Sequence, residues 1–136
     1  MRMNPYLSFD GQCEDAFTFY ERCLNGTITM MVRYAGSPME GQVPPAWRDK
    51  IIHARMTVGS SDLMASDSMP NFHQAAQGFS VSLNIDEPAE AERVFQALSA
   101  GGTVRMPIQQ TFWAIRFGML TDRFGIPWMI NCEQAD

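Results

Sequence analysis

Lysine is almost absent from this chain. Lys50 stands alone, and ten basic residues against fifteen acidic ones leave a net charge of -5. Binding along a nucleic acid needs a basic stripe that neutralises phosphates, and none is visible, which excludes nucleic acid as a partner. Histidine is nearly as scarce, with only His53 and His73. Cysteine is limited to Cys13, Cys23 and Cys132, an odd number at unrelated spacings. Two of them fall inside an apolar helical pattern, where a thiol behaves as a small hydrophobe, so all three are read as reduced and the compartment as cytoplasmic. The N-terminal MRMNPYLSFDG has no apolar signal region, and no run approaches the ~18 apolar residues of a membrane span; a soluble, untargeted protein without a membrane partner is expected. A glycine-rich turn between strand and helix is also missing, and with it the usual cradle for a nucleotide-like cofactor. No cofactor is expected.

What remains is an ordinary globular composition, 46% hydrophobic and 18% charged, which leaves no room for long disorder. One domain over residues 1–136 is expected, able to bury roughly 70% of the surface its unfolded chain exposes. Residues 4–9 alternate as a half-buried strand. The period then changes: Cys13, Ala16, Phe17, Tyr20, Cys23 and Leu24 recur at helical spacing, and Gly26 can end the helix in the left-handed region. A strand over 27–34 follows. Residues 35–49, with Gly36, Pro38, Gly41, Pro44 and Pro45, form a surface loop that includes Trp47. Strands over 51–58 and 62–67 make a hairpin around Gly59, Ser60 and Ser61.

After a polar linker at 69–78 the same grammar returns. A strand over 79–85 leads to Asp86 as N-cap and Pro88 in the first turn, then to Ala91, Val94, Phe95 and Leu98 at helical spacing until Gly101 and Gly102. A strand over 103–108 follows. Residues 112–120 and 126–132 then form a hairpin carrying Trp113 and Trp128, closed by Thr121, Asp122, Arg123 and Gly125. Adding 76 to a position carries Leu7 onto Leu83, Asp10 onto Asp86, Phe19 onto Phe95, Gly26 onto Gly102, Thr27 onto Thr103 and Met30 onto Met106. The fold class is therefore α+β: two βαβββ modules, residues 4–68 and 79–133.

A helix must cover one face of each sheet, so Leu7 and Phe9, and Val81, Leu83 and Ile85, point toward their helices. The opposite face carries Asn4, Tyr6 and Ser8, then His53, Arg55 and Thr57, and in the second module Ser80, Ser82 and Asn84. A face this polar is open to water or lines a cavity.

A βαβββ unit used twice is similar to the vicinal oxygen chelate superfamily, which includes glyoxalase I, bleomycin-resistance proteins and extradiol dioxygenases. The segments NPYLSFDGQCEDAFTFY, IIHARMTVGSSDLMASDSMP and TFWAIRFGMLTDRFGIPWMIN closely resemble its PhnB-like branch, often labelled a 3-demethylubiquinone methyltransferase-like domain. The resemblance spans residues 4–131. It implies the glyoxalase/bleomycin-resistance fold, in which the sheets of the two modules curl around a cleft, and a homodimer. Metal-dependent members hold a divalent ion with ligands from the first and fourth strands of each module, which map at or beside Asn4, Ala65, Ser80 and Met129. Ala65 and Met129 offer neither imidazole nor carboxylate, so no metal is expected. The methyltransferase label is rejected as chemistry, since a parallel βαβ pattern is missing as well.

Candidate site residues follow from the polar face. His53 is a general base or ligand donor in the cleft, or a histidine hydrogen-bonded across strands. Asp67, two residues past the mapped ligand position, is expected to face the cleft and pair with His53 or Arg55, or else to form a turn before Pro70. Arg116 calls for a carboxylate or phosphate, as a ligand group or as an ion pair with Asp67 or a glutamate. Tyr6, Arg55, Ser82, Trp113, Met129 and Asn131 are candidate ligand contacts, with Trp113 either a ring wall or core; Trp128 is read as core. His73 is read as solvated, Asp122 as a turn residue, and the eleven methionines as core fillers or an adaptable lining.

Three functions fit. A small organic molecule bound in the cleft without a catalytic metal is preferred, with His53, Asp67 and Arg116 as the base and charge stabilisers of any chemistry. The second is a glyoxalase- or dioxygenase-type metalloenzyme with displaced ligands such as His53 with Asp67. The third is a dimeric interaction module with a vestigial cleft.

Overall fold

A computed structural model describes residues 1–133. The chain forms two compact units, Met1–Gln74 and a second beginning at Ala75.

The first unit contains β1 (Tyr6–Phe9), α1 (Cys13–Leu24), β2 (Thr27–Arg33), β3 (Ile51–Val58) and β4 (Ser61–Asp67). Its sheet runs β1-β4-β3-β2, with β1 parallel to β4 and the other pairs antiparallel. The helical spacing read from the sequence is the buried stripe of α1: Cys13, Ala16, Phe17, Tyr20 and Cys23 are at most 6% exposed. They share the core with Leu7, Phe9, Ala54, Met56, Leu63 and Ala65, the helix-side residues of the sheet. The 35–49 loop is organised by two short 3-10 turns, Glu40–Gln42 and Pro45–Trp47. The Trp47 indole donates to the Ser68 carbonyl at 3.0 Å, which ties the loop to the end of β4.

The second unit repeats this order with β5 (Val81–Asn84), α2 (Pro88–Ser99), β6 (Thr103–Gln109), β7 (Ala114–Thr121) and β8 (Pro127–Glu133), in a sheet β5-β8-β7-β6. Its core includes Ala91, Val94, Phe95, Leu98, Leu120, Trp128 and Ile130. Trp128 is an anchor, as its phase predicted: it is 1% exposed, and its indole N–H donates to Asp122 Oδ2 at 2.8 Å. The other Asp122 oxygen accepts from Phe124 N and Ile126 N, so this carboxylate organises the turn between β7 and β8.

Two helix ends differ from expectation. Asn25, not Gly26, takes the left-handed conformation after α1 (φ 52), since a short amide side chain tolerates that region. In α2 the N-cap is Glu87 rather than Asp86, with no side-chain capping bond. Gly26 has another reason to be glycine. A Cβ there would lie 3.0 Å from the Thr57 carbonyl oxygen, and a Cβ on Gly102, its repeat partner, would run into the Thr121 carbonyl. In each unit, then, the chain leaves the helix beneath the backbone of the following hairpin, and a side chain would block the passage.

Candidate functional site

Alternation along the strands of the first unit leaves one sheet face without a helix. Tyr6 and Ser8 of β1, Met64 and Ser66 of β4, His53, Arg55 and Thr57 of β3, and Met30 and Val32 of β2 belong to it. The Tyr6 and His53 rings stack at 5.8 Å, and the Tyr6 hydroxyl lies 3.1 Å from His53 Nδ1, donating to it when that nitrogen carries no proton. Arg55 sits in the row Tyr6–Met64–Arg55–Met30 that the strand register sets across the sheet. One guanidinium nitrogen, Nη2, reaches Met64 Sδ at 3.9 Å, and the buried Nε has no hydrogen-bond partner. The carboxylate on this face, Asp62, accepts from the Thr57 hydroxyl at 3.1 Å and lies 3.7 Å from Arg2.

Asp67 does not join them, a correction to the expected direction of its side chain. The positions of β4 that face α1 are Leu63, Ala65 and Asp67, all buried. Asp67 Oδ1 accepts from Cys13 N at 2.9 Å and Oδ2 from Ile51 N at 2.8 Å. Two backbone donors and the helix N-terminus hold the carboxylate on the core side. His53 and Asp67 therefore lie on opposite faces of the sheet and cannot share a metal ion or a proton. The Tyr34 hydroxyl donates to the Asp67 carbonyl at 2.8 Å, and both Tyr34 and the Cys13 thiol are held protonated above their ordinary ranges, first by burial and then by the Asp67 charge.

Arg116 is also turned to the helix side. It pairs in register with Cys132, which is fully buried, and its Nε donates to Glu92 Oε1 of α2 at 2.9 Å. Of the ion-pair partners open at the sequence level, a glutamate is the one observed.

The open face of the second unit carries Ser82 and Asn84 of β5, Met129 and Asn131 of β8, and Phe117 and Met119 of β7. Asn131 Nδ2 donates to Asn84 Oδ1 at 3.0 Å, while Asn131 Oδ1 is buried without a partner. Trp113 lies just ahead of β7, 47% exposed, edge-on to Phe117 at 5.4 Å and to Phe112 at 4.7 Å. His73 is exposed in the linker. One feature the sequence did not signal is a hollow of about 160 Å³ beside the start of α1, lined by Gly11, Asp15 and Lys50 among others. Arg33 and Glu14 close an ion pair of 2.7 Å on its wall. Its lining comes from four separate segments, so no local pattern announces it.

The metal site of the vicinal oxygen chelate fold does not fit these residues. Ala65 points into the core, so the open-face positions of β1 and β4 are Tyr6, Ser8, Met64 and Ser66, and those of β5 and β8 are Ser82, Asn84, Met129 and Asn131. Neutral hydroxyls, amides and thioethers are poor ligands for zinc, nickel or magnesium. Among the described residues no three His, Cys, Asp or Glu side chains group closely enough to hold an ion, and no helix is long and apolar enough to cross a membrane.

Comparison with known proteins agrees with this architecture. Protein YjdN of Escherichia coli K12 is 37% identical over 139 aligned residues, covering 96% of this chain and 95% of its own. The crystal structure of protein PA1353 from Pseudomonas aeruginosa is 51% identical with a TM-score of 0.90, covering 99% of both chains. A glyoxylase/bleomycin resistance protein/dioxygenase domain from Frankia sp. EAN1pec shares the fold at 11% identity, with a TM-score of 0.66 over 98% of this chain and 95% of its own. The family model described as 3-demethylubiquinone-9 3-methyltransferase matches residues 1–131, and the chain belongs to that family, the PhnB-like branch of the glyoxalase/bleomycin-resistance fold.

Proposed function

We propose that this protein binds a small organic molecule on its open sheet faces and does so without a catalytic metal. The observation that carries the reading is the first unit's uncovered face, where Tyr6, His53 and Arg55 present hydrogen-bonding groups among the apolar side chains of Met30, Val32 and Met64. A few polar groups set in an apolar lining is the usual composition of a small-molecule site. Ser82, Trp113, Met129 and Asn131 supply the corresponding groups of the second unit. Asp67 and Arg116 are assigned to the scaffold, because their partners are backbone amides and Glu92. The separation of His53 from Asp67 counts against the displaced-ligand metalloenzyme. A homodimer and a cytoplasmic location complete the proposal and rest on the family resemblance and the free cysteines.

The test joins metal analysis of protein purified without chelator to thermal-shift screening with small organic acids and aromatic compounds. Substoichiometric metal and a ligand-dependent rise in Tm, reduced by His53→Ala, are expected. Stoichiometric nickel, zinc, manganese or iron that disappears in His53→Ala would overturn the metal-free reading. A screen without any stabilising compound would favour an interaction module, for which Phe112, 91% exposed, would be the first residue to examine.

A further inference from the structure

Among the described residues, Arg55 is a cation with no carboxylate paired to it. It occupies β3, an interior strand, flanked across the sheet by Met30 and Met64. Among the described residues Arg2, Arg33, Arg93 and Arg116 form ion pairs, and Arg55 forms none. Its neighbours on the open face are hydroxyls, thioethers, a valine and His53. The nearby carboxylate, Asp62, already serves Thr57 and Arg2. A half-buried guanidinium whose Nε faces neither water nor an acceptor costs free energy that only an acceptor can recover. Guanidinium geometry favours one kind of acceptor, a planar or tetrahedral oxyanion that accepts from two N–H groups at once.

We infer that Arg55 is the anion-recognition residue of this face and that the ligand is a small organic molecule bearing an oxyanion, carboxylate or phosphoryl. The inference rests on the binding reading above and names its ligand class. The oxyanion docks on the guanidinium N–H groups and reaches the buried Nε as the flanking Met30 and Met64 side chains give way, while the body of the molecule lies over Met30, Val32 and Met64. The Tyr6–His53 pair supplies a further polar contact from β1 and β3. Methionine side chains adapt to irregular ligands, so shape is read loosely and charge strictly. A positive group among neutral ones also distinguishes acids from their amides, since an amide cannot satisfy the buried charge.

The experiment titrates the ¹⁵N-labelled full chain with benzoate, phenyl phosphate and benzamide, following the backbone amides and the Arg55 Nε–H resonance. At least one of the two anions is expected to move the Arg55 Nε–H signal and the amides of residues 53–55 and 64, and whichever binds more tightly identifies carboxylate or phosphoryl as the preferred group. Benzamide should bind roughly tenfold more weakly or worse, and Arg55→Gln should reduce the anion to the benzamide level. If Arg55→Gln does not fold, the Nε–H shift in the unaltered chain decides. Equal affinity for benzamide and the anions, or anion binding that leaves Nε–H unmoved or survives Arg55→Gln, overturns the oxyanion assignment and leaves binding on this face standing. The absence of any shift on the open face with all three probes overturns both.

Discussion

The carboxylate of Asp67, at the end of β4, receives the backbone N–H of Cys13 at 2.9 Å and so caps a helix that begins 54 residues earlier. Gln12, the local N-cap residue, makes no side-chain capping bond, and the second Asp67 oxygen accepts from Ile51 N, where β3 begins. One buried side chain thus secures helix and sheet together. Asp67→Ala leaves two buried amides without acceptors, and a loss of about 2–4 kcal/mol is expected in urea unfolding. Asp67→Asn keeps one acceptor oxygen and should lose less. Equal stability of Asp67→Ala and the unaltered chain would contradict this role.

Cys13 and Tyr34 give the stability a pH dependence of known sign. Both groups keep their protons in the folded chain, the Cys13 thiol well above its ordinary value of 9.0 and Tyr34 above 10.0, because burial and the adjacent Asp67 charge disfavour the anions. The unfolded chain releases these protons first. Their contribution is therefore complete below pH 9 and is lost as pH rises beyond it. Urea midpoints measured from pH 7 to 11 should fall above pH 9, and Cys13→Ala should flatten the early part of that fall. A midpoint constant to pH 11 would rule the effect out.

The Arg116–Glu92 pair is about one-third exposed on each side, 34% and 37%. Solvent screening limits such a pair to about 0–1 kcal/mol, so a double-mutant cycle with Arg116→Met and Glu92→Gln should give a coupling within that range. Ligand affinity should be unchanged in Arg116→Met. A large loss of binding there, with stability intact, would return Arg116 to the site.

Gly26 and Gly102 should differ in cost when replaced by alanine. At Gly26 the new methyl meets the Thr57 carbonyl and the side chains of Val58 and Met56 at 3.0–3.2 Å, and the side chains can give way. At Gly102 its three nearest neighbours are all backbone, the Thr121 carbonyl oxygen and two atoms of Asp122 at 2.9 Å. Gly102→Ala should lose about 3 kcal/mol and Gly26→Ala nearer 1, by thermal or urea unfolding. The reverse order would count against the shared passage beneath the hairpin.

The fold was legible where two signals agreed. Helical spacing in Cys13–Ala16–Phe17–Tyr20, the repeat offset through Gly26 and Gly102, and alternation in β1, β5 and β8 each marked positions that the core needs. Trp128 could be assigned to the core because its phase opposed that of Met129. Legibility failed where alternation was overruled or weak. In DLMASD, Asp62, Met64 and Ser66 share one face and Leu63, Ala65 and Asp67 the other, but the mapped ligand position at Ala65 turned Asp67 toward the cleft in the expectation. Its partners, Cys13 N and Ile51 N, are backbone groups and leave no trace in a sequence. AIRFGMLT is apolar on both sides, and Arg116 reaches Glu92 on α2, a residue that no local spacing links to it. Arg55 was placed correctly on the open face, but its lack of a counter-ion emerges only when every neighbouring strand is in position.

The strand orders β1-β4-β3-β2 and β5-β8-β7-β6 put the first-made strand of each unit beside the last-made one. On the ribosome, β1 emerges with no parallel neighbour to join, and α1 has no distant carboxylate to cap it. Leu7 and Phe9, buried in the finished unit, belong to a strand with no hydrogen-bonded neighbour until β4 is made, and β5 waits in the same way for β8. The sheet of each unit is therefore complete only when its last strand is in place. A nascent chain stopped short of β4 or β8 presents an apolar helix stripe and an unpaired edge to whatever chaperone or neighbouring chain it meets.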